Sequence, residues 1–248
     1  MNRQRFSAIA HAEHVFCNPI GEETADRLLD RLELHAGNQV IDVGCGPAEM
    51  AIRLIERHGV RAVGVDPNSF FLERARQEAS RRVPRGALEL HQCAISDYVV
   101  PADRFDAALC VGASHAYGSC GQALPALIAL VRPGGRLLMG EPYWKRPPDP
   151  EYLATFGGSA GECDTEDGNR ARAVAAGLVP LEHSVASDAE WEHYESLYAA
   201  TVESWVHEHP GDAEAAEMID HIHRWNGAFR KWGRDTMGFA LDVYATPS

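Results

Sequence analysis

Val40-Ile41-Asp42-Val43-Gly44-Cys45-Gly46-Pro47-Ala48 decides how this chain is read. A run with buried-strand character enters a turn with two glycines, and the pattern after Pro47 is helical. Glycines at such a turn let the backbone approach a ligand closely, at the N-terminus of the helix that follows. A tight strand-to-helix turn can also use glycine for purely structural reasons, so the context matters. The next apolar run ends Val63-Gly64-Val65-Asp66, and Asp66 lies 20 residues beyond Gly46, the spacing of a ribose-binding acid.

Working outward, short β-branched runs alternate with helical patterns, the signature of a parallel sheet wrapped by helices. Strands are expected at Gln39–Val43, Ala62–Val65, Ala87–Gln92, Phe105–Val111, Arg136–Gly140, Val179–Val185 and Phe239–Ala245. Helices are expected at Glu22–Leu34, Ala48–His58, Ser69–Arg82, Gly121–Val131 and Thr165–Ala176. Residues 1–37 form an N-terminal helical segment or lid, and 38–248 the main domain. Within the latter, about residues 188–235 hold two helical patterns split by His209-Pro210-Gly211-Asp212. That insertion reads as a helical cap, because so short a piece can hardly build its own core.

The chain has 248 residues, 45% of them hydrophobic, and a net charge of -13. This composition excludes disordered, collagen-like and coiled-coil classes. The acidity disfavours nucleic acid as a partner. The basic groups Arg81, Arg82 and Arg85, and Arg230, Lys231 and Arg234, read as solvated helix ends. No apolar run is long enough for a membrane span. His11, Glu13 and His14 break up the N-terminal stretch, which therefore does not read as a signal peptide. Six scattered cysteines without a C-x-x-C pair fit free thiols in a reducing cytoplasm.

Local charge separates the cofactors that such a turn holds. A dinucleotide site wants a third glycine where this chain has Glu49, and Asp42 stands two residues before the first glycine. Two carboxylates would repel a pyrophosphate. They suit a ligand with an ammonium and a sulfonium, S-adenosylmethionine.

At this point the stretch from about Asn38 to Gly140 resembles a class I, Rossmann-like S-adenosylmethionine-dependent methyltransferase. Asp42-x-Gly44-x-Gly46 is similar to that family's first motif, Val65-Asp66 to its ribose motif, and Leu130-Val131-Arg132-Pro133-Gly134-Gly135 to its lead-in to strand five. Gly140-Glu141-Pro142-Tyr143-Trp144, with Asn18-Pro19, resembles a bacterial small-molecule-type subgroup. The resemblance implies an α/β fold with a seven-stranded, mostly parallel sheet of order 3-2-1-4-5-7-6, last strand antiparallel, and helices on both faces. It further implies that Gly44 and Gly46 line the methionyl moiety, that Asp42 orients its amino group, and that Cys45 and Gly112 also contact the cofactor. Asp66 would take the ribose hydroxyls, with Pro67 and Asn68 beside the adenine. Cys93 and Ala94 stand where the family often has an acid for the adenine amine, so their backbone groups, or Asp97, would substitute.

The methyl acceptor is expected outside the carboxyl ends of the strands. His115 is the first candidate for a general base, with Glu141 and Tyr143 behind it. His11, His14, Asn18, His115, Tyr143 and Trp144 are the candidate pocket residues. Glu203/His207 and Glu217/His221 have metal-compatible spacing, but surface pairing on an acidic helix explains them better, and no metal is expected. Trp191, Tyr194, Leu197, Tyr198, Val202 and Trp205 form one helical stripe, and Trp225, Phe229 and Trp232 another. Such stripes read first as the two cap helices packing on each other, and second as a cover for the acceptor. The function expected is methyl transfer to the oxygen, nitrogen, carbon or sulfur of a small molecule, in a cytoplasmic monomer or homodimer. Protein or RNA methylation, arsenite methylation, and a non-catalytic cofactor-binding regulatory module are the alternatives.

Overall fold

The computed structural model describes residues 1–101 and 105–247. Its sheet has seven strands in the order β3-β2-β1-β4-β5-β7-β6. These are β1 (Gln39–Val43), β2 (Arg61–Val65), β3 (Leu88–His91), β4 (Phe105–Val111), β5 (Val131–Trp144), β6 (Val179–Val185) and β7 (Met237–Ala245). The first five run parallel, whereas β7 is antiparallel to both β5 and β6. The helices are α1 (Arg3–Ala10), α2 (Glu22–Asp30), α3 (Glu49–His58), α4 (Ser69–Arg82), α5 (Cys120–Leu130), α6 (Pro150–Phe156), α7 (Glu166–Ala175), α8 (Asp188–Glu208) and α9 (Ala215–Ala228).

Strand alternation sorts the core into two layers. Val40, Ala62, Leu109 and Leu138 pack on one face with Leu28 and Leu29 of α2 and Ala51 and Leu54 of α3. Ile41, Val43, Ala108 and Leu137 pack on the other with Leu124 and Leu127 of α5 and Ala173 of α7. Helices α8 and α9 connect β6 to β7. With α1 they build a third cluster of Phe6, Ala10, Ala199, Val202, Met218 and Ile222.

Several sequence expectations change. The helix expected over Glu22–Leu34 ends at Asp30, and the chain reverses through Glu33, whose φ is 54°. A helix not foreseen, α1, lies before it; Asn2 caps its N-terminus by accepting from the Arg5 amide at 3.1 Å. Strand β5 extends well past Gly140, because β7 pairs with it from Arg136 to Trp144. The Glu141–Trp144 stretch is therefore strand, not loop. Pro142 fits there because its carbonyl accepts from Asn169 at 3.2 Å, away from β7, so its missing N–H also falls on the side where β4 has ended.

Candidate functional site

The carboxyl ends of β1, β2 and β4 open on a cavity of about 420 Å³, within the size range of small-molecule sites. The first turn forms its floor. Gly44 and Gly112 have φ of 68° and 70°, and a Cβ on Gly44 would collide with that of Ala113. This is where the backbone conformation requires glycine.

Of the three carboxylates that line this space, Asp42 and Asp66 are buried. Asp42, at the end of β1, is 4% exposed and accepts no hydrogen bond among the described residues. Burial, and then the neighbouring Asp66, push its pKa up to about 7. Asp66 accepts from the amides of Gly46 at 2.9 Å and Asn68 at 2.7 Å, yet burial still raises its pKa. Two buried acids with no cation between them make a site for a positively charged ligand. Glu49, read from the sequence as one of the acidic pair, lines the cavity, but Arg53 and Arg82 pair with its carboxylate at 2.7 and 2.6 Å. The acidic pair is Asp42 and Asp66.

Pro67, Cys93, Ala94 and Ile95 line the same cavity, with His115 and Ala116 from the turn after β4. Asn68 is buried beside them and ties the loop to α1, its Nδ2 donating to the Gln4 carbonyl at 3.0 Å. The N-terminal segment closes this side. Arg74 of α4 donates to the carbonyls of His11 and His14, both at 2.7 Å. The His11 Nδ1–H donates to the Ser7 carbonyl at 2.8 Å, which leaves Nε2 to accept from the Tyr194 hydroxyl of α8, also at 2.8 Å. Burial holds the His11 pKa down at about 4.

A second cavity, of about 200 Å³, lies under α8 and α9. Cys17, Asn18 and Gly112 line both cavities, so the two meet at these residues. Asn18 Nδ2 donates to the Val111 carbonyl at 3.3 Å, and its side chain fills the space a Cβ on Gly112 would need. Tyr152, Trp191, Tyr194, Trp225, Phe229 and Phe239 contribute aromatic walls. Glu195, 3% exposed, is the charged residue among the lining, and sequence reasoning missed it. The signal was available: Glu195 stands four residues after Trp191, inside the aromatic stripe rather than opposite it.

The other expected residues fall elsewhere. His115 is exposed and lines the first cavity but not the second. Glu141 points to the opposite face of β5, where Ser114 Oγ donates to it at 2.8 Å and burial raises its pKa to about 7. Tyr143 projects to that same face, and neither residue lines the two cavities. Trp144 packs edge-on against Tyr152, with its Nε1 donating to the Ala160 carbonyl at 2.9 Å. His14 lies outside both cavities, its Nε2–H donating to the Tyr194 carbonyl at 3.0 Å. Among the described residues, no cluster of three or more His, Cys, Asp or Glu is placed to hold a metal ion. No helix among them is long and apolar enough to cross a membrane.

Comparison with known proteins agrees with this geometry. Residues 40–135 match the family model described as a methyltransferase domain. The chain is 28% identical over 243 residues to the uncharacterized protein YjhP of Escherichia coli, covering 97% of this chain and 98% of that one. The X-ray structure of YjhP superposes with a TM-score of 0.89 at 27% identity, over 98% of this chain and 99% of that one. An S-adenosylmethionine-dependent methyltransferase from Geobacter sulfurreducens, solved with S-adenosyl-L-homocysteine, superposes with a TM-score of 0.89 at 26% identity, over 97% of each chain. The 27-O-demethylrifamycin SV methyltransferase of Amycolatopsis mediterranei is 28% identical over 64% of this chain and 56% of its own length. Residues 40–135 are thus a methyltransferase domain, carried on the Rossmann-like fold of the class I S-adenosylmethionine-dependent methyltransferases.

Proposed function

We propose that the protein transfers a methyl group from S-adenosylmethionine to a small molecule bound in the second cavity. The observation that carries this reading is the meeting of the two cavities at Cys17, Asn18 and Gly112. One is acidic and glycine-walled, suited to a cationic cofactor. The other is aromatic and lies under the cap. Asp42 would face the cofactor's ammonium and Asp66 its ribose hydroxyls. Gly44, Cys45, Gly46 and Gly112 would border the methionyl chain, and Pro67, Asn68, Cys93 and Ala94 the adenine. When bound, the cofactor supplies an electrophilic methyl on a sulfonium. The residues of this chain position the acceptor in line and exclude water, which can supply much of the rate. His115 belongs to the cofactor side of this arrangement, so the acceptor's proton goes elsewhere.

The second cavity's size and the charge of -13 favour a small molecule over protein or RNA. The relatives include the 27-O-demethylrifamycin SV methyltransferase, a name that points to a small-molecule acceptor and supports the same class here. Calorimetry with S-adenosylhomocysteine tests the cofactor half. Binding is expected for the wild type, with NAD and ATP much weaker. Asp66→Asn should weaken it by roughly 1.5–3 kcal/mol, the worth of a hydrogen bond to a charged group. A wild-type protein that ignores S-adenosylhomocysteine would remove the proposal.

A further inference from the structure

We infer that the second cavity takes a small amine, held as its ammonium by Glu195 and by the aromatic faces around it. This rests on the proposed function and names its acceptor class.

Glu195 is a buried acid with no cation beside it among the described lining residues. Glu195 projects from α8 into the cavity; one oxygen, Oε2, accepts from Trp225 Nε1 at 2.9 Å. The other, Oε1, accepts nothing among the described residues. Among the described residues no Lys, Arg or His lines the cavity, and the charged neighbour that acts on Glu195 is Glu192, of the same sign. Burial first, and Glu192 as well, push its pKa up to about 7, against the bond from Trp225. A buried carboxylate without a cation is costly, and an occupant that brings the cation removes the cost.

The walls agree with a cation. Trp191, Trp225, Tyr152, Tyr194, Phe229 and Phe239 surround the space, and aromatic faces attract an ammonium through their quadrupoles. An anionic acceptor would meet Glu195 with nothing to offset it. A neutral hydroxyl could donate one hydrogen bond but would leave the carboxylate charge unpaired. The volume of about 200 Å³ sets the size, since a cavity of about 150 Å³ holds a benzene ring. An amine carrying one ring fits.

The chemistry balances with the groups present. The ammonium gives one proton to the Glu195 carboxylate, which frees the nitrogen lone pair. That pair forms the new N–C bond as the methyl–sulfur bond breaks, and the electrons of the broken bond remain on sulfur. The products are an N-methylated ammonium, S-adenosylhomocysteine and a protonated Glu195, which returns its proton to solvent.

The test is calorimetry on protein saturated with S-adenosylhomocysteine, titrated with benzylamine, benzyl alcohol and benzoate. Benzylamine should bind at least about tenfold more tightly than the alcohol, the ratio expected when one charge-assisted contact distinguishes them. Benzoate should bind more weakly than both. Glu195→Gln should bring benzylamine down to the level of the alcohol while S-adenosylhomocysteine still binds. An alcohol that matches the amine in the wild type overturns the inference without any variant. So does benzylamine affinity that survives Glu195→Gln, or absent benzylamine binding to the loaded wild type. Each of these leaves cofactor binding, and with it the proposed function, standing; loss of S-adenosylhomocysteine binding by the wild type strikes that reading instead.

Discussion

Cofactor binding should be linked to protons through Asp42. Its pKa lies at about 7 because the carboxyl is buried and faces Asp66. An ammonium placed beside it favours the ionised form and pulls that pKa down, so binding at neutral pH must release a proton. Below pH 7 the proton competes with the ligand, and above it the carboxylate is ready. For a free-state pKa near 7 and a much lower bound-state value, S-adenosylhomocysteine affinity should rise by about tenfold from pH 6 to pH 8. About half a proton per site should be released at pH 7, read as a dependence of the calorimetric heat on the buffer's ionisation enthalpy. Asp42→Asn should bind more weakly at pH 8 and lose most of the slope. Asp66, whose pKa is also raised by burial, remains in that variant and contributes only its own part of the profile. The ligand's own titration cancels between the two proteins. Equal slopes for wild type and variant would refute the pairing of Asp42 with the ammonium.

Two further outcomes follow from other parts of the site. Gly44→Ala places a Cβ against Ala113 at a φ of 68°, and should abolish S-adenosylhomocysteine binding while circular dichroism shows a retained fold; normal affinity would mean the turn can move. His11 is neutral and buried with a pKa lowered from 6.5 to about 4, so its native form is disfavoured progressively as pH falls through that window. Urea unfolding should show the wild type losing roughly 2 kcal/mol more than His11→Gln between pH 7 and pH 5, and parallel losses would contradict it.

The cofactor side was largely legible because its signals are local. Asp42, Gly44, Gly46 and Asp66 sit at fixed offsets from strand ends, and strand periodicity located those ends within a residue or two. The acidic pair was misassigned, because partners such as Arg82 reach Glu49 from 33 positions away. The acceptor side was hidden for the same kind of reason. Glu195 resembles any carboxylate of an acidic helix until α9 and α6 bury it. Tyr143 and Glu141 were expected at the sheet's mouth because nothing local shows that β7 would extend β5 past Gly140 and fix their facing. Helix α1 gave no strong amphipathic pattern, since few of its residues are buried; Phe6 and Ala10 dock it on α8 and α9.

The place of β7 in the sheet has a consequence for biosynthesis. It is the last of the described strands in chain order, yet it lies between β5 and β6, and β6 pairs with no other strand among the described residues. A nascent chain can assemble the five parallel strands as they emerge from the ribosome. It cannot attach β6, or bring back the two ends of the α8–α9 connection, until residues 237–245 are available. Through that interval the outer edge of β5 remains unpaired, with Leu137, Leu138 and Met139 alongside it, a template for association with other chains. Synthesis of β7 therefore completes the barrier to aggregation and the roof of the second cavity together.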